Sequence, residues 1–472
     1  MSLAAEQSGL PQVGFAKTEK ANIAPKLKMM LIPILFLSFG AHAATLTVGP
    51  GGSYSTITSA VSAATSGDRI EVASGTYTEN VDLAGKDLDI VATSGPASTS
   101  IEPSTTGLAV VVYDGGESGS LNGFTIIPPT DERAIYISNS SPSISNCRIE
   151  RAGDYDSSWG GAVYVSNGMP SFVDVEFSDN EGARGGDLYV AGGAVVTLTN
   201  ITSNDSAGKY GAGIWVEDST VTMSNSIIDS PNSKNSGGFA YVKDATLTLS
   251  EVEVVDPQGE TAHGLGVYAT DRSVVYWSGG GVSGGEASHP NYEGAGVYIH
   301  DSSIFTGLNL RFEENTAYNG GAVEITLGSE ASLSNVVFED NVARRAGGAI
   351  RASSSSVVTC VDCTFDSNVG AKGGAVEVTG GSSYSDTGGS YSDNEATEEE
   401  GGAIRVFTNS ELSIAGASFE GNEARQSGGA IYLYQAADTV FIESSTFASN
   451  VAEVGDGGGV MADLGSSVTI IG

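Results

Sequence analysis

Four aspartates recur at one position of a repeat in the middle of the chain. Asp218, Asp244, Asp271 and Asp301 each lie seven residues after a glycine, at positions 211, 237, 264 and 294. Stacked carboxylates repel one another unless a cation or a basic group lies between them. This acidic row predicts either a catalytic site, compatible with Ca²⁺, or four turns that the aspartates cap, and turn capping is the favoured interpretation.

A column of aromatic residues runs beside this acidic row. The fourth residue after the motif glycine, or its equivalent, is aromatic in seven successive copies: Tyr136, Tyr164, Tyr189, Trp215, Tyr241, Tyr268 and Tyr298. Because its sequence neighbours are apolar, we expect this position to point outward and to be exposed. Exposed rings would make platforms for sugars, whereas stacked rings would only stabilise adjacent strands, which is favoured. The ligand-binding candidates are therefore Tyr164, Tyr189, Trp215, Tyr241, Tyr268 and Tyr298.

The same position becomes charged further along the chain. It is occupied by Glu324, Arg351, Glu377 and Arg405 in four successive copies. A row of alternating charge fixes the register of neighbouring strands. We expect this row to be structural and exposed, so that losing one charge costs under about 1 kcal/mol.

Histidines are concentrated in the same stretch. His263, His289 and His300 are the histidines that follow residue 43, and the stretch also holds the longest repeat, 30 residues, and the glycines at 279–281. His263 and His300 fall at opposite ends of their predicted strands, so no shared metal site is predicted. The sequence carries no zinc, phosphate-loop or nucleophile-elbow motif, and no cofactor is predicted beyond the compatibility with Ca²⁺.

A repeat positions all of these residues. A motif of the form G-G-A-[IV]-x-[VI] recurs at intervals of 25 to 30 residues, and an aromatic residue followed three positions later by asparagine precedes many copies. The first glycine, or its equivalent, falls at 160, 185, 211, 237, 264, 294, 320, 347, 373, 401, 428 and 457. Twelve copies at nearly constant spacing indicate a repeat architecture.

Each copy has the pattern of strands rather than of helices. Apolar residues alternate with others, as Val323 and Ile325 do on either side of Glu324, which is the period of a half-buried strand. So short a unit cannot bury its apolar face alone, so units must stack, each strand pairing in parallel with its copy. Propeller blades of about 40 residues and six-residue left-handed repeats do not fit. The predicted fold is all-β, a single right-handed parallel β-helix of about fourteen coils with a short N-terminal capping helix.

The recurring asparagines are predicted to be structural. They follow a strand at a bend, where we expect them to adopt the left-handed backbone and to hydrogen-bond to one another along the stack. The members with the complete motif after residue 300 are Asn315, Asn341, Asn368, Asn394, Asn422 and Asn450.

Three regions are predicted along the chain. Residues 1–43 are a leader and signal peptide, because two lysines precede an apolar run that ends in the small-residue pattern Ala41-His42-Ala43. Residues 44–106 form an N-terminal cap and the first coils. Residues 107–472 form the β-helix repeats, and we expect them to be truncated before a missing C-terminal anchor. The capping helix is predicted from the spacing of Ile57, Ala60, Val61 and Ala64.

Composition limits the partners. The chain has 57 acidic against 21 basic residues and a net charge of −36, which argues against binding to nucleic acid or to anionic membranes. No later apolar run approaches membrane length, so no transmembrane segment is predicted in the mature chain. An odd number of cysteines argues against a disulfide-built fold, and Cys360 and Cys363 would pair only if the chain turns between them.

The paired motifs resemble the repeat of the chlamydial polymorphic outer-membrane proteins, with the best match from Phe312 to Val460. Residues 45–83 separately resemble the first coil of pectin-lyase-like β-helix proteins, in V-G-P-G-G-S-Y-S-T-I and G-D-R-I-E-V. The resemblance implies an exported passenger at the cell surface, in the outer membrane or outside the cell, and it implies no active site. The coils at about 228–290 depart from the pattern because they lack the asparagine.

Three functions remain open. The favoured hypothesis is a secreted or cell-surface scaffold of the adhesin type, without catalysis. One alternative is a polysaccharide lyase or glycoside hydrolase acting through the coils at 211–301, and the second is a carbohydrate-binding surface protein. An extracellular glycan or a surface protein is the expected partner in each case.

Overall fold

The computed structural model describes residues 43–259, 262–287, 292–436 and 439–472. The predicted leader and signal peptide, apart from Ala43, and His289 lie outside the described residues. Ala43–Gly472 form one compact unit. This unit is a right-handed parallel β-solenoid with one short helix, which confirms the predicted fold class, although it has about 16 turns rather than about fourteen.

Three parallel sheets run along the solenoid, with 27, 15 and 11 strands among the described residues. The strands of sheet 1 are Thr45–Val48, Arg69–Val72, Gly75–Tyr77, Asp89–Ala92, Thr99–Ile101, Ser120–Asn122, Thr125–Ile126, Ser143–Glu150, Ser171–Ser178, Val195–Thr199, Thr202–Asn204, Thr220–Asp229, Thr246–Val255, Val274–Ser283, Ile304–Leu308, Arg311–Glu313, Glu330–Ser334, Val337–Glu339, Val357–Val361, Thr364–Asp366, Ser383–Thr387, Ser390–Ser392, Glu411–Ala415, Ser418–Glu420, Val440–Glu443, Thr446–Ala448 and Val468–Ile471.

The strands of sheet 2 are Val81–Asp82, Val111–Tyr113, Ile135–Ser138, Val163–Ser166, Leu188–Ala191, Ile214–Glu217, Ala240–Lys243, Val267–Thr270, Val297–Ile299, Val323–Ile325, Ile350–Ala352, Val376–Val378, Ile404–Phe407, Ile431–Tyr434 and Val460–Asp463. The strands of sheet 3 are Glu181–Arg184, Ala207–Tyr210, Asn232–Ser236, Gln258–Gly259, Glu286–Ala287, Thr316–Asn319, Val342–Ala346, Val369–Lys372, Glu395–Ala396, Glu423–Ala424 and Val451–Ala452.

The alternation of apolar residues sets both the strands and their register. In sheet 2, Val163 pairs with Leu188 and Val165 pairs with Val190, and all four side chains are buried. A shift by one residue would place these side chains outside, so the hydrophobic pattern fixes the pairing. Residues at the same place in the repeat therefore form continuous columns along the solenoid.

The glycine pair of the motif makes the corner before each sheet 2 strand. Gly211 has φ +55°, and a Cβ there would lie 2.2 Å from the carbonyl oxygen of Ile214. At the second glycine of another copy, Gly374, a Cβ would lie 2.0 Å from the carbonyl oxygen of Gly402 in the next coil. The first glycine is therefore required by backbone conformation and the second by the close approach of neighbouring coils.

The single helix of the described residues lies at the N-terminal end. It spans Ile57–Ala63, and Thr56 caps it by accepting a hydrogen bond from the Ser59 amide. Ile57, Ala60 and Val61 are buried in the main core together with the first strands. The predicted capping helix is present, and its apolar stripe covers the first coils.

Two internal ladders fill one side of the core in the later coils. Rings stack from Phe312 through Phe338, Phe365, Tyr391 and Phe419 to Phe447, with centroids 4.5 to 5.4 Å apart. From Asn315 to Asn422, each asparagine donates from its backbone and side-chain nitrogens to the side-chain oxygen of the next asparagine, at 2.8 to 3.1 Å, and Asn450 is the last acceptor.

The backbone at these asparagines differs from the expectation. The left-handed residue is the one before the asparagine, as at Glu314, Asp340 and Ser367. The expectation that the asparagines themselves are left-handed is wrong. They are buried instead, from Asn315 to Asn422, because their amides satisfy the backbone groups of the bend in neighbouring coils.

Candidate functional site

The aromatic column lies on the outer face of sheet 2 as a continuous stack. The successive centroids of Tyr136, Tyr164, Tyr189, Trp215, Tyr241, Tyr268 and Tyr298 lie 4.1 to 6.5 Å apart, with interplanar angles of at most 22°. The expectation that these rings are exposed is wrong: Tyr189 and Trp215 are 3% and 4% exposed, and the others are half-buried. The faces of the inner rings cover one another.

Side chains from the corner before sheet 2 cover part of this column. The guanidinium of Arg184 lies 4.6 Å from the ring centroid of Trp215 and 4.5 Å from that of Trp159. Tyr210 packs edge-on against Trp215 and Tyr241. Trp159 is the exposed member of this cluster, at 45%. Sequence reasoning missed these residues because they lie outside the alternating strand pattern.

The charged continuation of the column is also buried. Arg351 bridges Glu324 at 2.8 Å and Glu377 at 2.9 Å, and Arg405 binds the other oxygen of Glu377 at 2.8 Å. The expectation of an exposed charge ladder is wrong, because Glu324, Glu377 and Arg405 are at most 6% exposed. Burial raises the pKa of Glu324 to about 8, against the opposing effect of Arg351. This is a desolvated network whose partners depend on one another.

The acidic row follows the strands of sheet 2. Asp218, Asp244, Asp271 and Asp301 are exposed and have φ of 50°, 47°, 55° and 54°. Aspartate tolerates this left-handed conformation better than most residues, so each aspartate occupies a turn that its residue type suits. Arg272 approaches Asp244 at 4.0 Å.

One column of polar residues lies between the acidic row and the aromatic stack. It consists of the residue before each aspartate: Glu217, Lys243, Thr270 and His300. In several other coils this place holds a small residue, as at Ser166, Ala191 and Ser353. Lys243 binds Glu217 at 2.5 Å. Sequence reasoning missed the column, although Glu217 and Lys243 occupy it with opposite charges in successive coils.

His300 connects the acidic row to the aromatic stack. Its Nδ1 lies 3.0 Å from the carboxylate of Asp301, and its Nε2 lies 2.5 Å from the hydroxyl of Tyr268 in the preceding coil. The Tyr241 ring stacks on the Tyr268 ring, with centroids 4.7 Å apart. Asp301, His300 and Tyr268 therefore form a carboxylate–imidazole–phenol relay, which sequence reasoning did not predict because its members come from two coils.

Burial sets the protonation of this relay. Burial lowers the pKa of His300, although Asp301 and Asp271 oppose the shift, so the imidazole is neutral at pH 7. Burial also raises the pKa of Tyr268 far above its ordinary value. The phenol therefore donates to Nε2 while Nδ1–H donates to Asp301. The Tyr268 oxygen can exchange a proton with a bound molecule, and the His300 imidazole can accept that proton or return it.

The other histidine of this region does not join the relay. His263 packs against Tyr292 and Tyr298, both 5.0 Å away, and its Nδ1 accepts a hydrogen bond from the Glu293 amide. Within the residues that the structure describes, no group of three His, Cys, Asp or Glu could hold a metal ion. The run of glycines at 279–281 lies elsewhere, on sheet 1, where it opens a cavity of about 190 Å³ lined by residues that include Glu253 and Arg311.

The columns and the parallel register define a right-handed parallel β-helix protein. The family described as "Right handed beta helix region" matches residues 106–254 and 250–388, and the chain belongs to this family. The Chlamydia polymorphic membrane protein repeat also matches, at residues 416–434. The resemblance stated from the motifs is thereby confirmed. No curated protein matches the chain.

Several solved structures are similar in fold at low identity. The catalytic unit of a GH87 α-1,3-glucanase from Streptomyces thermodiastaticus is 11% identical with TM-score 0.44, over 76% of this chain and 64% of that chain. The A-module of an Azotobacter vinelandii mannuronan C-5 epimerase is 13% identical with TM-score 0.33, over 88% and 94%. A PL6 family alginate lyase is 10% identical with TM-score 0.26, over 83% and 79%. The chain thus spans under two thirds of the glucanase unit.

Among the described residues, no helix has the length and apolar character that a membrane crossing requires.

Proposed function

We propose that the protein is an exported, cell-surface scaffold of the adhesin type, without catalysis. The proposal rests on the observation that the repeat motif serves packing between coils. The residues that define the motif pack against neighbouring coils, as Phe419 and Asn422 do in the stacked ring and amide ladders. The match to the polymorphic membrane protein repeat at 416–434 lies in these coils and supports a surface location.

The packing of the ligand-binding candidates supports the same proposal. Their ring faces are used in the stack, and Trp215 and Tyr241 lie 4.1 Å apart with parallel planes. Stacking of this kind stabilises adjacent strands. Each aspartate of the acidic row occupies a turn with left-handed backbone. The turns account for the aspartates and the stacking accounts for the aromatic rings, without a bound ligand.

Protease treatment of intact cells that express the full chain tests the surface location. We expect external protease to digest the protein in intact cells while a cytoplasmic marker survives. A chain that is protected in intact cells and digested only after lysis would overturn the proposal.

A second candidate function, a polysaccharide-acting enzyme, is favoured by the relay of Asp301, His300 and Tyr268. Proton transfer to or from a sugar is common to the lyase and hydrolase reactions expected of this alternative. The Tyr268 oxygen would exchange the proton, and His300, held by Asp301, would accept or return it. The exposed aspartates Asp244 and Asp271 flank the relay and would bind or orient the sugar.

A panel of neutral and acidic polysaccharides distinguishes the two candidates. Release of reducing or unsaturated ends by the full chain, and its loss in Tyr268→Phe and His300→Gln, would establish the enzyme and overturn the scaffold. Tyr164→Phe is the matched control, because Tyr164 lies in the same column without a histidine partner. Binding without cleavage, weakened by Trp215→Ala or Tyr241→Ala, would instead favour the carbohydrate-binding alternative.

A further inference from the structure

Two cysteines occupy one inner corner of a single coil. Cys360 is the last inward residue of the strand Val357–Val361, and Cys363 is the residue before the strand Thr364–Asp366. Between them, Val361 points outward and Asp362 is left-handed, with φ 53°. The chain therefore turns between the two cysteines, and both side chains enter the same corner of the core, 0% and 1% exposed.

Burial and the neighbouring Cys363 thiol raise the pKa of Cys360, and the Cys360 thiol lowers the pKa of Cys363 against the effect of burial. The remaining contacts of the Cys363 sulfur are long, 3.8 Å to the Val361 carbonyl and 3.9 Å to the Leu333 carbonyl. Oxidation of the pair would therefore break weak hydrogen bonds and leave no buried donor without a partner. Both sulfur atoms therefore already lie within the core of this coil.

Cys147 is a matched case that lacks the second thiol. It also follows a left-handed residue, Asn146, at the bend of a sheet 1 strand, and it is 1% exposed. The inward residue three positions earlier is Ile144, where the other coil has Cys360. Its sulfur donates to the Ser145 carbonyl at 3.2 Å. The same corner therefore exists in the chain with one thiol and with two.

The surroundings of the pair argue against metal binding. Asp386 lies over Cys360 in the next coil, and its Oδ2 accepts a hydrogen bond from Tyr391 at 3.2 Å. Its Oδ1 has no hydrogen-bond partner. Within the described residues, no group of three His, Cys, Asp or Glu that could hold a metal ion includes these two thiols.

We propose that Cys360 and Cys363 form a disulfide within one coil, and that Cys147 stays reduced. The oxidant is a second disulfide, such as glutathione disulfide. The Cys363 thiolate attacks it and releases one glutathione thiolate. The Cys360 sulfur then attacks the mixed disulfide and releases the second. The two protons that leave the cysteines end on the two glutathione thiols, so one disulfide is reduced as the other forms.

Glutathione cannot reach thiols that are at most 1% exposed. The disulfide must therefore form before this coil has folded, or while the coil is transiently open. The bond closes a loop of only four residues, and so short a loop removes little entropy from the unfolded chain. We therefore expect the disulfide to resist external reductant in the folded protein while raising the melting temperature by only a few degrees.

Refolding of the full chain in a buffer of glutathione and glutathione disulfide tests the proposal. We expect one free thiol per denatured chain, at Cys147, and a peptide spanning 360–363 that is lighter by two hydrogen atoms in mass analysis. Three free thiols, or glutathione attached to Cys360 or Cys363 in place of the internal bond, would overturn it.

Two variants test which cysteines account for the number of free thiols. Cys147→Ala leaves the pair intact, and we expect no free thiol after refolding, whereas two free thiols would contradict the proposal. Cys360→Ala copies the single-thiol corner of Cys147, because Cys363 then remains where the other coil has Cys147, and we expect two free thiols. A circular dichroism spectrum that matches the parent for Cys147→Ala shows that the count comes from folded protein.

Discussion

The Nε2 atom of His300 lies 2.5 Å from the hydroxyl of Tyr268, in the coil before it. Because Nδ1 of the same ring faces Asp301 at 3.0 Å, the imidazole is held at both nitrogens. These contacts join the acidic row to the aromatic stack through a single imidazole.

The titration of His300 tests the protonation assigned to the relay. Burial lowers the pKa of His300 relative to the unfolded chain, so the unfolded chain binds a proton more readily. Stability from this residue is therefore present above about pH 6.5 and is lost as the pH falls through that value. We expect NMR to show that the pKa of His300 is lower in the folded chain than in the unfolded chain. Between pH 7 and pH 5, the His300→Gln variant should lose less free energy of unfolding than the parent protein. Titration above 6.5 would show that Asp301 and Asp271 dominate.

The charge ladder predicts unequal effects for two glutamates. Glu377 binds Arg351 and Arg405 with its side chain 6% exposed, whereas Glu313 binds Arg311 with its side chain 35% exposed. We expect Glu377→Gln to lower the free energy of unfolding by about 3 kcal/mol, because it leaves buried charge uncompensated. Glu313→Gln should cost under about 1 kcal/mol. Equal losses in urea unfolding would contradict the buried network.

The core carboxyl of Asp386 predicts a pH dependence of opposite sign. Burial raises the pKa of Asp386 to about 7, so the folded chain keeps a proton that the unfolded chain loses near pH 3.9. Stability from this group is present below about pH 4 and is lost as the pH rises towards 7. We expect Asp386→Asn to gain about 3 kcal/mol relative to the parent on going from pH 4 to pH 8, by denaturant unfolding. A constant difference between the two proteins would argue against the shift.

Removing a buried ring of the stack should cost much more stability than removing an exposed ring on the surface. Phe365 is fully buried between Phe338 and Tyr391, and Phe365→Ala should cost about 3 to 5 kcal/mol. Phe441, on the outer face of sheet 1, is 47% exposed. Phe441→Ala should therefore cost about 1 kcal/mol or less. Thermal unfolding of both variants checks the assignment of faces.

The fold could be predicted because one pattern is repeated many times. The alternation around Glu324 and the spacing of the glycine motif determine strands, parallel pairing and columns. Exposure could not be predicted from alternation, since Glu324 does point away from the main core but is covered by its ionic partners and by the adjacent corner. A period of two distinguishes two faces of a strand and does not say what lies over the outer one.

The candidate site was predicted less completely for a related reason. Asp271 and Asp301 stand out in the sequence because they repeat. The residue that joins the acidic row to the aromatic stack, His300, is single and acts on Tyr268, 32 residues away. Contacts between coils depend on the register of stacking, which is known only once the number of residues in every turn is known.

The asparagine ladder has a direction. The amide groups of Asn341 donate to the side-chain oxygen of Asn368, and those of Asn368 donate to Asn394. A newly formed coil thus presents unpaired donors, and the coil that follows it in the chain supplies their acceptor. In folding that proceeds from the first coil onward, each arriving turn would therefore complete the hydrogen bonding of the turn before it.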